Sequence, residues 1–193
     1  VTLEAVPEDE NRFHKFLEWA QRGMQGADLA LGLLRGSISI FYRRLIPYAQ
    51  TGDLRLRATA SAVDFGDLAV GNFRVIDHDE YLATALSNTS NAHSDLAALQ
   101  TSRQERAQAL QHAIAYIEEA IQLYRALGLQ AEVATSLNNA SGIYRAMAQE
   151  TKVVEGQVKW LEKGLACIEE AVSTFRAQGI VPYLLVALAN AVM

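Results

Sequence analysis

Glu132-Val-Ala-Thr-Ser-Leu137-Asn-Asn139-Ala140 decides the fold, because the chain writes this stretch three times. The copies are Tyr81-Leu-Ala-Thr-Ala-Leu86-Ser-Asn88-Thr89, 51 residues earlier, and Tyr183-Leu-Leu-Val-Ala-Leu188-Ala-Asn190-Ala191, 51 residues later. The residues before each copy follow the same offset: Ala69-Val70 with Phe73-Arg74, Ala120-Ile121 with Tyr124-Arg125, and Ala171-Val172 with Phe175-Arg176. Between the two halves stands Asp77, Gly128 or Gly179, and one period earlier Gly26. A fainter copy places Phe41-Tyr42-Arg43 102 residues before Ile143-Tyr144-Arg145. The period therefore covers most of the chain, in about three and a half units, and a period of this length is the mark of a stacked array.

Each unit reads as two helices. Leu110, Ala113, Ile114, Ile117, Ala120, Ile121 and Tyr124 fall on one face at 3.6-residue periodicity. Val133, Ala134, Leu137, Ala140, Ser141 and Tyr144 form the next stripe. Thr101-x-x-Gln104 and Ser102-x-x-Glu105 are capping-box candidates that place a helix start near Ser102, and Gly128 supplies a left-handed stop. Pro47 and Gly52 mark the break in the first unit. Two-residue links at Gly26, Asp77, Gly128 and Gly179 make neighbouring helices antiparallel. Leu86, Leu137, Leu188, Phe73, Tyr124 and Phe175 are expected in the core, with Ala69, Ala120 and Ala171 where helices approach closely.

Composition bounds the function without naming it. Of 193 residues, 50% are hydrophobic and the net charge is −5, so the chain folds and offers no phosphate-binding field. Nucleic acid is excluded as the main partner. A single Cys excludes an internal disulfide and a Cys-rich zinc site. No run is apolar enough to span a bilayer, and Val-Thr-Leu-Glu is no signal sequence. The expectation is a cytoplasmic protein with no membrane partner and no cofactor. The missing initial Met reads as a fragment or a processed product.

These residues resemble the tetratricopeptide repeat (TPR). In that family a first helix carries a large residue, a small pair and an aromatic, as Leu137, Ala140, Ser141 and Tyr144 do; a second carries small, large and small residues, as Ala113, Ile117 and Ala120 do. Leu-Asn-Asn-x-x-x-x-Tyr at Leu137 to Tyr144 is similar to its bacterial and kinesin-light-chain-like branches. The family unit has 34 residues, against 51 here. The difference places an extended second helix of nearly 26 residues between Ser102 and Leu127. The resemblance implies an all-α, right-handed α-solenoid of antiparallel hairpins. It also implies a concave groove lined by the helices near 29–47, 80–98, 131–149 and 182–193, which takes a protein or peptide partner. In the family an Asn at the slot of Asn88, Asn139 and Asn190 often bonds a ligand's main chain; holding the neighbouring helix is the other reading. Asn91, Asn138, Arg43 and Arg145 lie about one turn away. Arg43 and Arg145 share a slot that Ser94 occupies in the copy between them, so a carboxylate clamp is weakly supported.

Other chemistry fits packing better. Cys167 holds the slot of Tyr116 and Phe65 and reads as a core residue, and His93 holds that of Tyr42 and Tyr144. His112 sits beside the core residues Leu110 and Ala113, at a groove edge. His78 stands in Asp77-His-Asp-Glu80, where Asp79 as N-cap is a simpler account than a metal ligand. Glu118-Glu119 recurs as Glu169-Glu170, which argues for a polar face or for pairing with Arg125 and Arg176 rather than for an acid/base pair. No phosphate-loop, dinucleotide, nucleophile-elbow or zinc-protease motif is present. Arg35, Arg43, Arg44, Arg55 and Arg57 form one basic cluster, read as a solvated face.

The domain expectation is a single array over residues 27–193, preceded by a loose acidic lead-in (1–11) and an amphipathic capping helix (12–25) that carries Phe13, Phe16, Leu17, Ala20 and Met24. Residues 180–193 are apolar and uncapped, which implies continuation into further repeats or a homo-oligomer contact. The leading expectation is a non-catalytic interaction scaffold. The alternatives are a regulatory or oligomerisation segment of a larger signalling protein and, more remotely, an enzyme built on His78, His112 or Cys167.

Overall fold

The 51-residue spacing sets the helix boundaries themselves. The computed structural model describes residues 28–192. Among them are seven α-helices and no strand: α1 Asp28–Leu45, α2 Gly52–Val75, α3 Asp79–Leu99, α4 Arg103–Ala126, α5 Gln130–Glu150, α6 Val154–Ala177 and α7 Val181–Val192. The helices α2, α4 and α6 are each 24 residues long, and α3 and α5 each 21. The lead-in, the capping helix and Gly26 lie outside the described residues.

The stops are built by the backbone. Gly128 has φ 73° and Gly179 φ 68°, and Asp77 takes the same left-handed conformation at φ 53°. Each sits at C′ of a Schellman turn. Leu129 N donates to Tyr124 O at 3.0 Å and Ile180 N to Phe175 O at 3.0 Å, while His78 N reaches Phe73 O at 3.5 Å. The links are thus three residues long, not two, because C-cap, C′ and the residue before the next helix all lie outside the helices. In the first unit Pro47 takes over. It lies in a short 3₁₀ turn, Ile46–Tyr48, and its ring and missing N–H stop α1 before the point that α3 reaches one period later.

Helix starts differ from expectation. Ser102 is the N-cap of α4, yet its side chain caps nothing; its carbonyl accepts from Arg106 N at 3.0 Å. Asp79 is the first residue of α3, and the N-cap is His78, whose Nδ1 accepts from Tyr81 N at 3.5 Å. Thr51 caps α2 by accepting from Leu54 N at 3.2 Å.

Consecutive helices pack in pairs. α1 lies on α2, α3 on α4 and α5 on α6, and each pair packs on the next. Ser39 Oγ donates to Ala62 O at 2.6 Å and, 51 residues on, Ser90 Oγ donates to Ala113 O at 2.7 Å. Leu86, Leu137, Phe73, Tyr124 and Phe175 are buried, and Ala69, Ala120 and Ala171 are wholly inaccessible. Burying a residue such as Leu86 contributes about 1.5–3 kcal/mol. Leu188 departs from expectation: it is 40% exposed, because among the described residues no helix covers that side of α7.

The strained turn at Asp77 yields a stability prediction. A left-handed backbone costs a non-glycine residue about 1–2 kcal/mol, and the Asp77 side chain is exposed. Asp77→Gly should therefore raise unfolding stability by ~1 kcal/mol, and Gly128→Ala should lower it by a similar amount. Urea unfolding followed by circular dichroism measures both; equal midpoints for the two variants would contradict this account of the turns.

Candidate functional site

α1, α3, α5 and α7 form one row, and two clefts open between its members. The first lies between α1 and α3, with α2 as its floor; it has a volume of about 130 Å³ and is lined by Gly32, Gly36, Ile40, Ala69, Phe73 and Asn88, among others. The second lies between α3, α5 and α7, is about 330 Å³, and is lined by Thr84, Asn88, Tyr124, Glu132, Ser136 and Tyr183, among others.

Glycine makes the first cleft. A Cβ on Gly32 would stand 2.7 Å from Phe73, and one on Gly66 would stand 2.6 Å from Thr89 Oγ1, so the helices approach at these points only because the side chain is missing. A Cβ on Gly36 would meet only Ala69 Cβ, at 3.9 Å. Gly32 and Gly36 lie four residues apart in α1, which leaves a smooth wall opposite α3. Sequence reasoning missed these glycines. Their signal was an i, i+4 pair inside a helix, where each costs roughly 0.5–1 kcal/mol relative to Ala and so calls for a packing reason.

The expected site residues fall into three groups. Asn88 is half-buried, lines both clefts, and makes no side-chain hydrogen bond among the described residues. Asn190 instead donates Nδ2 to Asn138 Oδ1 at 3.0 Å, tying α7 to α5. For that copy the slot holds the neighbouring helix. Asn139 and Asn91 are half-buried and line neither cleft. Arg43 is engaged, its Nε 2.8 Å from Asp95 of α3. Arg145 lines a third cleft of about 190 Å³ between α5, α6 and α7, together with Asn190, Leu161 and Leu165. The two arginines therefore do not converge, and no carboxylate clamp forms.

The basic cluster disperses as well. Arg35 is buried and donates to Asn72 Oδ1, and desolvation lowers its pKa. Arg55 Nε donates to Ala49 O at 3.1 Å.

The recurrent carboxylates are structural staples, with a register that corrects the expected one. Arg74 pairs with Glu119 at 2.6 Å and Arg125 with Glu170 at 2.7 Å, so each Glu meets the Arg of the preceding period rather than its own. The neighbouring carboxylates accept from the next helices in line. Glu118 takes Tyr144 Oη at 2.6 Å and Lys163 Nζ at 3.1 Å. One period earlier, Asp67 lies 3.3 Å from His93 Nε2. Burial and then Asp67 push the Tyr116 phenol up to about 12, and burial and Glu118 raise that of Tyr144. Both stay protonated donors at neutral pH. The ring of His93 stacks on His112, with centroids 5.2 Å apart. No group of three or more His, Cys, Asp or Glu among the described residues could hold a metal.

No protein-family model and no curated protein matches the sequence. Among solved structures the chain is similar to one from the computational design of self-assembling cyclic protein homo-oligomers, at 13% identity over 96% of this chain and 80% of that one, with a TM-score of 0.45. That distance carries no functional argument. No helix among the described residues is long and apolar enough to cross a membrane.

Cys167 is half-buried against the core, and burial, reinforced by Glu170, raises its thiol pKa. The thiolate is the nucleophile, so a raised pKa leaves less of it at any pH below that value. Alkylation by iodoacetamide should be slower than that of glutathione at pH 7 and should climb to its plateau at a higher pH. A rate profile equal to glutathione's would contradict the burial.

Proposed function

We propose that the chain is a non-catalytic protein-interaction scaffold, a TPR-like right-handed α-solenoid of about three and a half units that binds an extended peptide along the row α1, α3, α5 and α7. The observation that carries this reading is Asn88: a half-buried amide with no side-chain hydrogen bond among the described residues, lining two clefts. A peptide crossing there would insert an apolar side chain beside Gly36 and Phe73. Its main chain would exchange hydrogen bonds with the Asn88 amide, which offers both a donor and an acceptor. Thr84 and Tyr124 lie in the adjoining cleft, already bonded to each other at 3.2 Å.

The non-catalytic half of the reading rests on where the reactive groups are spent. Asp67, Glu118, Glu119 and Glu170 each bridge helices, and an acid/base pair needs carboxylates aimed at one reacting atom.

Selection of random displayed peptides on the immobilised chain tests the groove. Enriched peptides should carry an apolar anchor, and their Kd should rise at least tenfold on Gly36→Leu, which fills the first cleft, and about fivefold on Asn88→Ser, for loss of about 1 kcal/mol of hydrogen bonding. If enriched peptides bind both variants as tightly as the parent while the thermal melts stay unchanged, the groove is not the binding site.

A further inference from the structure

The array repeats an aromatic pair along its row, and one copy breaks it. The ring of Tyr81 packs on Phe73 with centroids 5.6 Å apart, and two periods later Tyr183 packs on Phe175, also at 5.6 Å. In the copy between them Tyr124 holds the slot of the phenylalanines, but Glu132 holds that of the tyrosines. Among the described residues no ring packs on Tyr124. The second cleft, about 330 Å³, opens at this break and is bordered by Tyr124, Glu132 and Tyr183.

The polar groups around this cleft are mostly acceptors. Thr84 Oγ1 donates to Glu80 O at 3.0 Å, Thr135 Oγ1 to Ala131 O at 2.9 Å, and Tyr124 Oη to Thr84 Oγ1 at 3.2 Å. A hydroxyl has one proton, so all three keep only lone pairs to offer. The donors are the Asn88 amide and the Ser87 and Ser136 hydroxyls, which lie 3.5 Å from each other. Glu132 is exposed and makes no ion pair among the described residues, and no Lys, Arg or His borders the cleft. Burial raises the pKa of the Tyr124 phenol, and the charges of Glu132 and Glu80 add to the rise, so both carboxylates act on this spot. Acceptors, a negative charge and aromatic surface therefore meet in one hollow that contains no cation of its own.

We propose that the second cleft is a pocket for the guanidinium of an arginine side chain, held by Glu132, by the acceptor oxygens of Thr135 and Tyr124, and by the ring of Tyr183. A guanidinium is flat, carries five N–H donors and no acceptor, and packs on aromatic rings. It supplies what this copy lacks beside its neighbours, a planar group near Tyr124, and it brings the donors that the oxygens need. A carboxylate in its place would meet Glu132 with nothing to offset the repulsion. That the arginine belongs to a peptide rests on the reading of the row as a peptide groove. Asn88 lines both clefts, so a main chain held there sets an apolar side chain at Gly36 on one side and the arginine at Glu132 on the other.

Two arms test the pocket and its source. In the first, N-acetyl-arginine methylamide is titrated into the full chain and followed by the NMR shifts of the amides in the first turn of α5. Saturable shifts are expected, weakened about fivefold by Glu132→Gln and about threefold by Tyr183→Leu, which keeps apolar cover on Phe175 but removes the ring. Glu132 and Tyr183 are exposed, so both variants should melt with the parent. The citrulline analogue, which has the same shape without the charge, should bind about fivefold more weakly, and that change leaves the chain untouched. In the second arm, peptides enriched on the chain should carry an arginine. Its replacement by citrulline should cost about fivefold on the parent and little on Glu132→Gln. Enriched peptides that weaken on Gly36→Leu, carry no arginine and ignore Glu132→Gln would leave the groove standing and overturn the pocket. Citrulline equal to arginine in both arms would overturn it as well, as would no response to either probe from a folded chain whose peptides lack arginine. Arginine binding that depends on Glu132, with no peptide that depends on Gly36, would support the pocket and overturn the peptide source in favour of a small guanidinium compound.

Discussion

Ser39 and Ser90 sit where the two helices of a pair cross, and each donates to the carbonyl of a small residue on the opposite helix, Ala62 or Ala113. The geometry demands a side chain too small to hold the backbones apart and a donor short enough to reach across the gap. In the third pair the same two slots hold Ser141 and Gly164. There the serine has turned to Asn138 O at 2.7 Å, and a Cβ on Gly164 would lie only 3.3 Å from Ser141 O. The third crossing is close without the hydrogen bond, so close approach is the feature all three share and the bond is its companion in two of three cases. Once the crossing is fixed, the faces of both helices are fixed too, and the apolar stripes meet along the remaining turns.

Contacts between pairs are of a different character. They combine an apolar seam with charged or hydroxyl-bearing staples: Arg74 with Glu119, Arg125 with Glu170, Tyr144 and Lys163 with Glu118. The exposed ion pairs are each worth only about 0–1 kcal/mol, and their value lies in register. A slip of one turn would separate every pair at once. The staples engage Asp67, Glu118, Glu119 and Glu170 on the long helices α2, α4 and α6. The row formed by α1, α3, α5 and α7 keeps glycines, threonines and, among the described residues, amides such as Asn88 without a side-chain hydrogen bond, and open clefts remain there.

The sequence made the helices and much of the core legible because both depend on a pattern that is repeated. Offsets of 51 residues located Gly128 and Gly179 as left-handed stops, and the stripes through Leu86, Leu137 and Phe175 identified buried positions. What depends on a single geometry was less legible. The capping box at Ser102 has the right letters, but its side chain turns elsewhere. The Glu–Arg pairing was visible as recurrence, while its register across periods needs the superposition of neighbouring helices, which no local spacing contains. The Asn slot shows the same limit. Asn88 and Asn190 are equivalent in the sequence, yet one borders two clefts and the other bonds Asn138, because one has a helix packed on either side and the other stands in α7, which among the described residues is packed on one side alone.

Departures from the repeat are therefore more informative than the repeat itself. Arg35 occupies the slot that Leu86 and Leu137 fill with core side chains, and it too is buried. A charge in such a place costs several kcal/mol unless it is answered by polar groups. The answer comes from Asn72, in the slot of the apolar Leu123, which accepts from Arg35 while its own Nδ2 donates to Asp28 at 3.3 Å. Polar groups thus stand in two facing slots at once, one of them held by Leu86 and Leu137 and the other by Leu123 and Thr174 in later copies, which is what a buried charge requires. The exchange sits within a turn of Gly32 and Phe73 in the sequence, two residues that line the first cleft, while Arg35 and Asn72 themselves do not. The polar pair therefore distinguishes the first helical pair from those that follow. In an array of repeated helical pairs, such local exchanges are how one unit comes to differ from its neighbours.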